Sequence, residues 1–231
     1  MCDHGTYQRL GLSKQAILSI VAYVLDEPAH EIDEEVSYGT VRRDKGNEGK
    51  LLADFKAHRH AKRARLRDEH IAGLRLYSSQ AYDCINLPLR KHFRPHPFAA
   101  TALFISDALK KLRVVRAKTR GKQILWRGLK DVCLSDEFKD SGGTEMACMS
   151  TTGSTSIAAG YALKTINQEP MIFRIVSDNF MSCGADISWL SVYPNEAEVL
   201  FPPLTYLQVT KVRQMTAMKG LIVDVKPSFS S

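Results

Sequence analysis

Residues 193–203 read YPNEAEVLFPP, an apolar run that begins with two glutamates and lies between prolines. Its centre, from Ala197 to Phe201, is short and apolar, as strands between turn residues are. Because side chains alternate between the faces of a strand, the pattern predicts that Glu196 and Glu198 project on one side, opposite to the apolar side chains. The solvated face of an edge strand explains an isolated Glu-x-Glu most simply, although paired carboxylates also suit chemistry that develops a positive charge.

The second half of the chain holds five further runs in which β-branched or aromatic residues lie between turn residues. They are residues 122–129, 146–151, 170–177, 205–212 and 220–225, and one helix is predicted among them from about Ser154 to Lys164. The first half has the period of helices over residues 13–25, 51–76, 79–90 and 98–115, with a glycine-rich loop expected at 39–49. Helices first and strands later predict an α+β fold.

Composition and length bound the class of protein. The chain has 231 residues, 44% of them hydrophobic and 25% charged, as in ordinary globular proteins of one large or two small domains. The uncharged apolar stretch of the first predicted helix, Gln15 to Leu25, is about half as long as a membrane span. The five cysteines are odd in number and no signal peptide is visible, so we expect free thiols in the cytoplasm.

Common nucleotide and metal motifs are missing from the sequence. It has no P-loop, no Rossmann glycine pattern, no His-Glu-x-x-His and no Cys-x-x-Cys pair. We therefore expect neither a bound metal ion nor nucleotide chemistry through either glycine motif.

An arginine and a glycine stand near the end of the predicted strand 122–129. Gly128 leaves backbone room for a ligand, and the guanidinium of Arg127 offers a forked set of donors to phosphate oxygens. Taken alone, the pattern is better explained by a surface arginine whose stem packs over Trp126.

Hydroxyl side chains cluster at residues 150–152, between a predicted strand and the helix that begins at Ser154. They could orient a carboxylate or cap the helix. Capping explains Ser154 and Thr152, but it does not explain Ser150.

In this order the three elements resemble the arginine-specific mono-ADP-ribosyltransferases that carry an R-S-E motif. The resemblance implies that Arg127, Ser150, Glu196 and Glu198 are the catalytic residues. The context of the two glutamates, Tyr-Pro-x-Glu-x-Glu-x-Leu-Phe-Pro-Pro, matches this family more specifically than Glu-x-Glu alone.

A second serine motif competes with the first, because Ser154-Thr155-Ser156 spells the family's pattern more faithfully. Members of the family carry an alanine eight residues after the motif serine and an aromatic–alanine pair three residues beyond. Counted from Ser150, these positions hold Ala158, Tyr161 and Ala162, whereas only the alanine matches when the count begins at Ser154. Ser150 is therefore identified as the motif serine.

The resemblance covers about residues 71–225 and implies the architecture of that part. We expect a core of mixed β-structure, with two packed sheets around an NAD cleft. The chain is accordingly divided into a helical, charged N-terminal extension, residues 1–70, and an ADP-ribosyltransferase domain, residues 71–231.

Further residues of the NAD cleft follow from the same resemblance. Tyr77, Tyr82 and Asn86 match the family's two tyrosines and an asparagine, although half-buried core tyrosines are nearly as good an explanation. Tyr161 and Lys164 stand where the family has an aromatic ring against nicotinamide and a cation. The implied cofactor-binding set is Tyr77, Tyr82, Asn86, Arg127, Gly128, Ser150, Tyr161 and Lys164.

The family reaction moves ADP-ribose from NAD to an arginine of a target protein and releases nicotinamide. The resemblance thus implies NAD as co-substrate and an arginine-containing protein as partner. Glu198 would bind the ribose and support an oxocarbenium-like transition state, and Ser150 would orient it. Glu196, with Tyr193 on the same substrate loop, would receive the target guanidinium.

Two alternatives stay open. One is an NAD glycohydrolase, in which water replaces arginine, and the other is a non-enzymatic module that binds nucleic acid or an acidic partner through its basic segments. Charge is unevenly distributed, because residues 90–130 hold 12 bases and one acid whereas residues 131–231 hold 7 bases and 11 acids. A cleft with one basic and one acidic wall suits NAD and a cationic acceptor better than nucleic acid, so we expect no nucleic-acid partner. We also expect no membrane span.

Overall fold

The computed structural model describes residues 13–36, 39–116, 122–164, 168–216 and 219–229. Its helices are α1 (Lys14–Leu25), α2 (Leu52–Ala57), α3 (Arg59–Arg63), α4 (Asp68–Tyr77), α5 (Tyr82–Arg90), α6 (Ala99–Arg116), α7 (Asp136–Ser141) and α8 (Thr155–Ala162). Its strands are β1 (Ile32–Val36), β2 (Gly39–Arg43), β3 (Gln123–Leu129), β4 (Gly143–Glu145), β5 (Met149–Thr152), β6 (Met171–Ser177), β7 (Ala185–Asp186), β8 (Glu198–Phe201), β9 (Thr205–Gln214) and β10 (Leu221–Ser228). The α+β prediction is confirmed.

Helix α1 begins where the sequence predicts it. The Ser13 hydroxyl accepts a hydrogen bond from the Ala16 amide at 3.0 Å, which satisfies one of the unpaired donors of the first turn. The side chains of Tyr23 and Val24 are buried against the end of α4 and the residues just before α5. The N-terminal helix is therefore packed onto the helical layer.

The hairpin of β1 and β2 was not predicted, and the expectation of a loop over 39–49 is wrong for its first five residues. The two strands are antiparallel, with Ile32 opposite Arg43. Acidic residues of β1 face basic residues of β2, and Arg43 contacts Glu34 at 2.8 Å. Cross-strand pairs of opposite charge stabilise a strand whose residues have little intrinsic preference for it.

Helices α2 to α6 form a layer with its own apolar core. Ile71 and Leu74 of α4 are fully buried against Ile105 and Leu109 of α6. Leu200 of β8 belongs to the same cluster, so this layer packs directly on the strand that begins at the second glutamate.

The eight remaining strands form one sheet in the order β4-β9-β10-β6-β3-β5-β8-β7. Strands β6 and β10 are parallel, and the other neighbours are antiparallel. The two halves of the sheet are joined between β3 and β5 by one bridge, Trp126 to Thr152. Side chains of both halves, including Leu125 and Phe201, meet in one apolar core, so the two expected sheets are two halves of a single hydrogen-bonded sheet.

Most strand and helix boundaries agree with the sequence to within a few residues, but the helix predicted over 51–76 is divided into α2, α3 and α4. The predictions did not include α7, β4 or β7, each of six residues or fewer. None of the helices in the described ranges is long and apolar enough to cross a membrane.

Candidate active site

The two glutamates are brought together by a turn and not by the alternation of a strand. Pro194–Glu196 forms a 3-10 turn, and Ala197 has a left-handed backbone with φ of 48°. Strand β8 begins only at Glu198, and all four of its residues are buried. The prediction that both carboxylates lie on one face of a strand is therefore wrong, because Glu196 lies in the turn and only Glu198 lies in the strand.

The turn is held in place by the hydroxyl cluster of β5. Thr152 Oγ1 donates to the carbonyl oxygen of Glu196 at 2.6 Å and accepts from the amide of Ser154 at 3.0 Å. Thr151 Oγ1 donates to the carbonyl oxygen of Val199 at 2.6 Å. These side chains fasten the Glu-x-Glu segment to the strand that carries Ser150.

Glu198 is 5% exposed and lies at the centre of the site. Burial raises the pKa of its carboxyl to about 7, while hydrogen bonds from the hydroxyls of Ser150 and Ser191 and the nearby charge of Arg127 lower it. The carboxyl is therefore poised to change protonation state near neutral pH.

Glu196 lies close enough to Glu198 to be affected by its charge. Burial, with the negative charge of Glu198 as a second cause, raises the pKa of Glu196 to about 8. The hydroxyl of Tyr161 in α8 lies 3.3 Å from Oε1 of Glu196 and donates to it. Because the pKa values of both carboxyls are raised, the pair carries less than its full charge at neutral pH.

Arg127 joins these groups from β3. Its Nη1 donates to the carbonyl oxygen of Ser150 at 2.6 Å, which ties the arginine strand to the serine strand. The structure thus brings Arg127, Ser150, Glu196 and Glu198 into one constellation, and their catalytic roles remain predictions.

Gly128 has a packing role that differs from the expected room for a ligand. A Cβ atom at this position would lie 2.0 Å from the carbonyl oxygen of Ala158 and 2.7 Å from the amide nitrogen of Ala162. The space beside Gly128 is filled by the backbone of α8, so glycine lets the helix that carries Tyr161 approach the sheet.

Tyr77 and Asn86 lie behind the site and are bound to each other. The Tyr77 hydroxyl donates to the carbonyl oxygen of Cys148 at 3.2 Å, and Asn86 Nδ2 donates to the Tyr77 hydroxyl at 3.1 Å. Asn86 is 2% exposed, yet its Oδ1 atom is buried without a hydrogen-bond partner. A buried acceptor without a donor fits a polar ligand better than a finished core.

Three further residues lie toward the solvent edge. Tyr82 is 44% exposed and hydrogen-bonds Asp83, and burial of its hydroxyl raises its pKa. Arg90, on the same face of α5, forms a two-point ion pair with Glu145, with both N–O distances at 3.0 Å. Lys164 is partly buried just beyond α8.

Tyr193 is turned toward the N-terminal hairpin. Its hydroxyl donates to Oε2 of Glu34 at 2.6 Å, and its side chain is hydrogen-bonded to Gln80 as well. Burial is the largest cause that raises its pKa. The tyrosine that the sequence places on the substrate loop is thus engaged by β1, which the domain division puts outside the catalytic domain.

Ser191 is the site residue that the sequence did not identify. It is fully buried and donates to Glu198. A single serine in an irregular segment has no spacing or neighbour that signals such a contact, so only the three-dimensional arrangement reveals it.

Metal-ligating side chains are not grouped in the described ranges: no three of histidine, cysteine, aspartate and glutamate lie together there in a way that could hold an ion. The polar groups that do converge at the site are carboxylates, hydroxyls and a guanidinium. Arg127, the Asn86 oxygen without a partner and the two carboxyls together fit a charged, hydroxyl-rich ligand such as a dinucleotide.

The fold is similar to that of solved ADP-ribosyltransferases. A solved ADP-ribosyltransferase, HopU1 of Pseudomonas syringae pv. Tomato DC3000, is 19% identical, with 93% of this chain and 97% of that chain covered and a TM-score of 0.62. Vis toxin from Vibrio splendidus is 18% identical over 78% of this chain and 83% of its own, with a TM-score of 0.53. An ADP-ribosyltransferase from Clostridium botulinum is 18% identical over 77% of this chain and 96% of its own, with a TM-score of 0.55.

The family follows from the sequence match. The model of the NAD:arginine ADP-ribosyltransferase family matches residues 12–227, nearly the whole chain. This chain belongs to that family, and it is an enzyme that uses NAD for mono-ADP-ribosyl transfer. A comparison with curated protein sequences finds no match. The family match begins at residue 12, far upstream of residue 71, which is about the first residue that the resemblance by motifs covers.

Proposed function

We propose that the enzyme transfers ADP-ribose from NAD to an arginine side chain of a target protein and releases nicotinamide. The observation that supports this most is the pair of carboxyls, the buried Glu198 and the partly buried Glu196, beside Arg127 and Ser150. One carboxyl serves the ribose and the other serves the acceptor. The target is thus an arginine-containing protein, and we expect no nucleic-acid partner.

Glu198 acts on the ribose of NAD. The bond between the ribose and nicotinamide breaks with its electron pair leaving on nicotinamide, and the positive charge left on the ribose needs a nearby anion. An ionised Glu198 oriented by Ser150 supplies it. Arg127 holds a phosphate group of the dinucleotide with its remaining donors, for which a forked guanidinium is suited.

Glu196 acts on the acceptor. A guanidinium is protonated at neutral pH and attacks only after a proton leaves it, so an adjacent carboxylate must accept that proton. Tyr161, hydrogen-bonded to Glu196 at 3.3 Å, holds the carboxyl toward the site. The new bond joins an arginine nitrogen to the ribose carbon that nicotinamide left.

The raised pKa of Glu196, about 8, favours NAD hydrolysis as a side reaction at neutral pH. While Glu196 keeps its proton it cannot take one from a guanidinium, and water can then reach the ribose cation instead. Glycohydrolase activity is therefore our second candidate. The balance should shift toward transfer as the pH rises through about 8.

Labelled NAD with agmatine or polyarginine tests the proposal. We expect label in the acceptor, loss of both transfer and nicotinamide release in Glu198→Ala, and selective loss of transfer in Glu196→Gln. Glu137→Ala, which changes an exposed glutamate of α7, serves as the control and should behave as wild type. Nicotinamide release without acceptor labelling would establish the glycohydrolase, and undiminished transfer in Glu198→Ala would contradict both candidates.

We retain as a proposal the division of the chain into a helical, charged N-terminal extension or lobe, residues 1–70, and a catalytic domain, residues 71–231. A cytoplasmic location is proposed on the sequence grounds given above. Fractionation of cells that express the tagged full-length chain would test the location.

A further inference from the structure

The segment of residues 187–193 lies between β7 and the Glu-x-Glu turn. It is held by hydrogen bonds from the N-terminal half of the chain. Arg75 Nη1 donates to the carbonyl oxygen of Leu190 at 3.0 Å. The amide of Val192 donates to Ser78 Oγ at 2.9 Å, and its carbonyl oxygen accepts from the amide of Asp44 at 2.7 Å. Residue 191 thus stands between two anchored neighbours.

The side chains that hold this segment are themselves buried and paired. Arg75 is 2% exposed and Asp44 is fully buried, and the two side chains form a two-point ion pair with both distances at 3.1 Å. Tyr23 of α1 also donates to Asp44. A buried pair satisfied on both sides has one arrangement, so it fixes the backbone that it holds.

The direction of the Ser191 hydroxyl follows from its surroundings. Its oxygen accepts from the amide of Tyr193 at 3.1 Å, and the side chain is fully buried. A hydroxyl has one proton to give, and with the oxygen engaged by an amide that proton is directed to the carboxyl of Glu198. Ser191 therefore reaches Glu198 from a different segment of the chain than Ser150 does.

We propose that Ser191 is a positioning residue, which works with Ser150 to orient Glu198 and to favour its ionised form. Because this role presupposes the NAD chemistry proposed above, it deepens that function and names a part of the site that the motif does not contain. Ser191 touches Glu198 and need not touch NAD.

Several titratable groups of the surrounding elements lie close enough to Glu198 to interact with its charge. They are Arg127 of β3, Glu196 of the turn, Tyr77 of α4, Tyr161 of α8 and Cys148 before β5. Of these only Arg127 favours the carboxylate, and burial opposes it. Hydroxyl donors that bind the charged form are thus needed to keep Glu198 ionised at neutral pH.

The first test is the pH profile of nicotinamide release. In Ser191→Ala we expect the acid limb to move up by about one pH unit, because a hydrogen bond to the charged form is lost. Turnover at pH 7 should fall by about fivefold to tenfold and recover toward wild type near pH 9, with the KM for NAD within about twofold.

Matched variants separate positioning from a general loss of structure. Ser188→Ala removes a hydroxyl three residues away that is bonded to Asp186, and it should leave the profile unchanged. Ser191→Thr keeps the donor and should restore the wild-type limb. A Ser191→Ala variant whose acid limb coincides with that of wild type, or a Ser188→Ala variant that shifts equally, would overturn the proposal.

A second readout does not depend on activity. The titration of Glu198 can be followed by NMR in protein labelled with 13C at the glutamate carboxyls, with Glu198→Gln to assign the signal. We expect a higher midpoint in Ser191→Ala than in wild type. If wild type released no nicotinamide, the proposed function would fail while this titration still decided the role of Ser191, and equal midpoints would reject that role.

Discussion

At the scale of one residue, the folded protein destabilises the ionised form of Glu196. The residue is partly buried beside a second carboxyl, and both desolvation and repulsion favour its neutral form. In the unfolded chain the same group is solvated and ionises at its ordinary pKa. The folded protein therefore binds a proton over a pH range in which the unfolded chain has released it.

This difference makes stability depend on pH. Because the pKa of Glu196 rises on folding to about 8, the free energy of unfolding falls as the pH increases from about 4.5 through about 8. Glu196→Gln has no such proton to lose. We expect the variant to exceed wild type by on the order of 2 kcal/mol at pH 9 and to match it at pH 4, measured by urea denaturation.

The control for this measurement is Glu27→Gln, which changes an exposed glutamate just beyond α1. It should track wild type at both pH values. A Glu196→Gln variant with the same pH dependence as wild type would show that the carboxyl ionises normally in the fold.

At the scale of elements, the contact between α8 and β3 depends on one missing side chain. Gly128→Ala would place a Cβ atom 2.0 Å from the backbone oxygen of Ala158, so helix or strand must move. We expect a loss of about 3 kcal/mol or more in the free energy of unfolding, together with lower NAD turnover because Tyr161 lies on the same helix.

Gly153→Ala is the matched substitution, since no atom lies within 4 Å of a Cβ built there. Urea denaturation should find it close to wild type. Equal effects of the two substitutions would mean that the packing of α8 on β3 is not what Gly128 provides.

The elements that could be predicted were those whose signal is local. Helix α1 has its capping serine and an apolar face, and β3 and β6 are runs of β-branched and aromatic residues. The hairpin of β1 and β2 was not predicted because Asp33 and Glu34 disfavour strands unless they form ion pairs with Arg42 and Arg43 of the neighbouring strand. Pairing between residues that are far apart in the sequence cannot be predicted from a local pattern.

The site was predictable to the extent that motif residues resemble a family. Arg127, Ser150 and the two glutamates were found in that way, and the structure brings them together. The turn between the glutamates was missed because Ala197 adopts a left-handed backbone without being glycine or asparagine, the usual signals for it. Ser191 was missed because its contact joins segments without any shared spacing.

At the scale of the whole molecule, the N-terminal segment and the catalytic core share one buried ion pair. Asp44 belongs to the segment that follows the hairpin, and Arg75 lies in α4. Asp44→Asn would leave the buried guanidinium without its counter-charge, which typically costs about 3–5 kcal/mol. We expect a large fall in Tm by differential scanning calorimetry, with the loss of a single cooperative transition for both halves.

Asp33→Asn breaks an exposed pair with Arg42 in the same region of the chain and is the suitable comparison. Exposed ion pairs contribute little, so its Tm should stay close to that of wild type. If both variants melted alike, the pair of Asp44 and Arg75 would not be what couples the halves.

The same ion pair limits where the chain can be divided. The boundary at residue 71, natural to the motif resemblance, separates Arg75 from Asp44 and leaves a buried cation without its counter-charge. A shortened chain of residues 71–231 would also lose the Glu34 acceptor of Tyr193. Any recombinant fragment meant to retain catalysis should therefore start ahead of β1, and preferably ahead of α1.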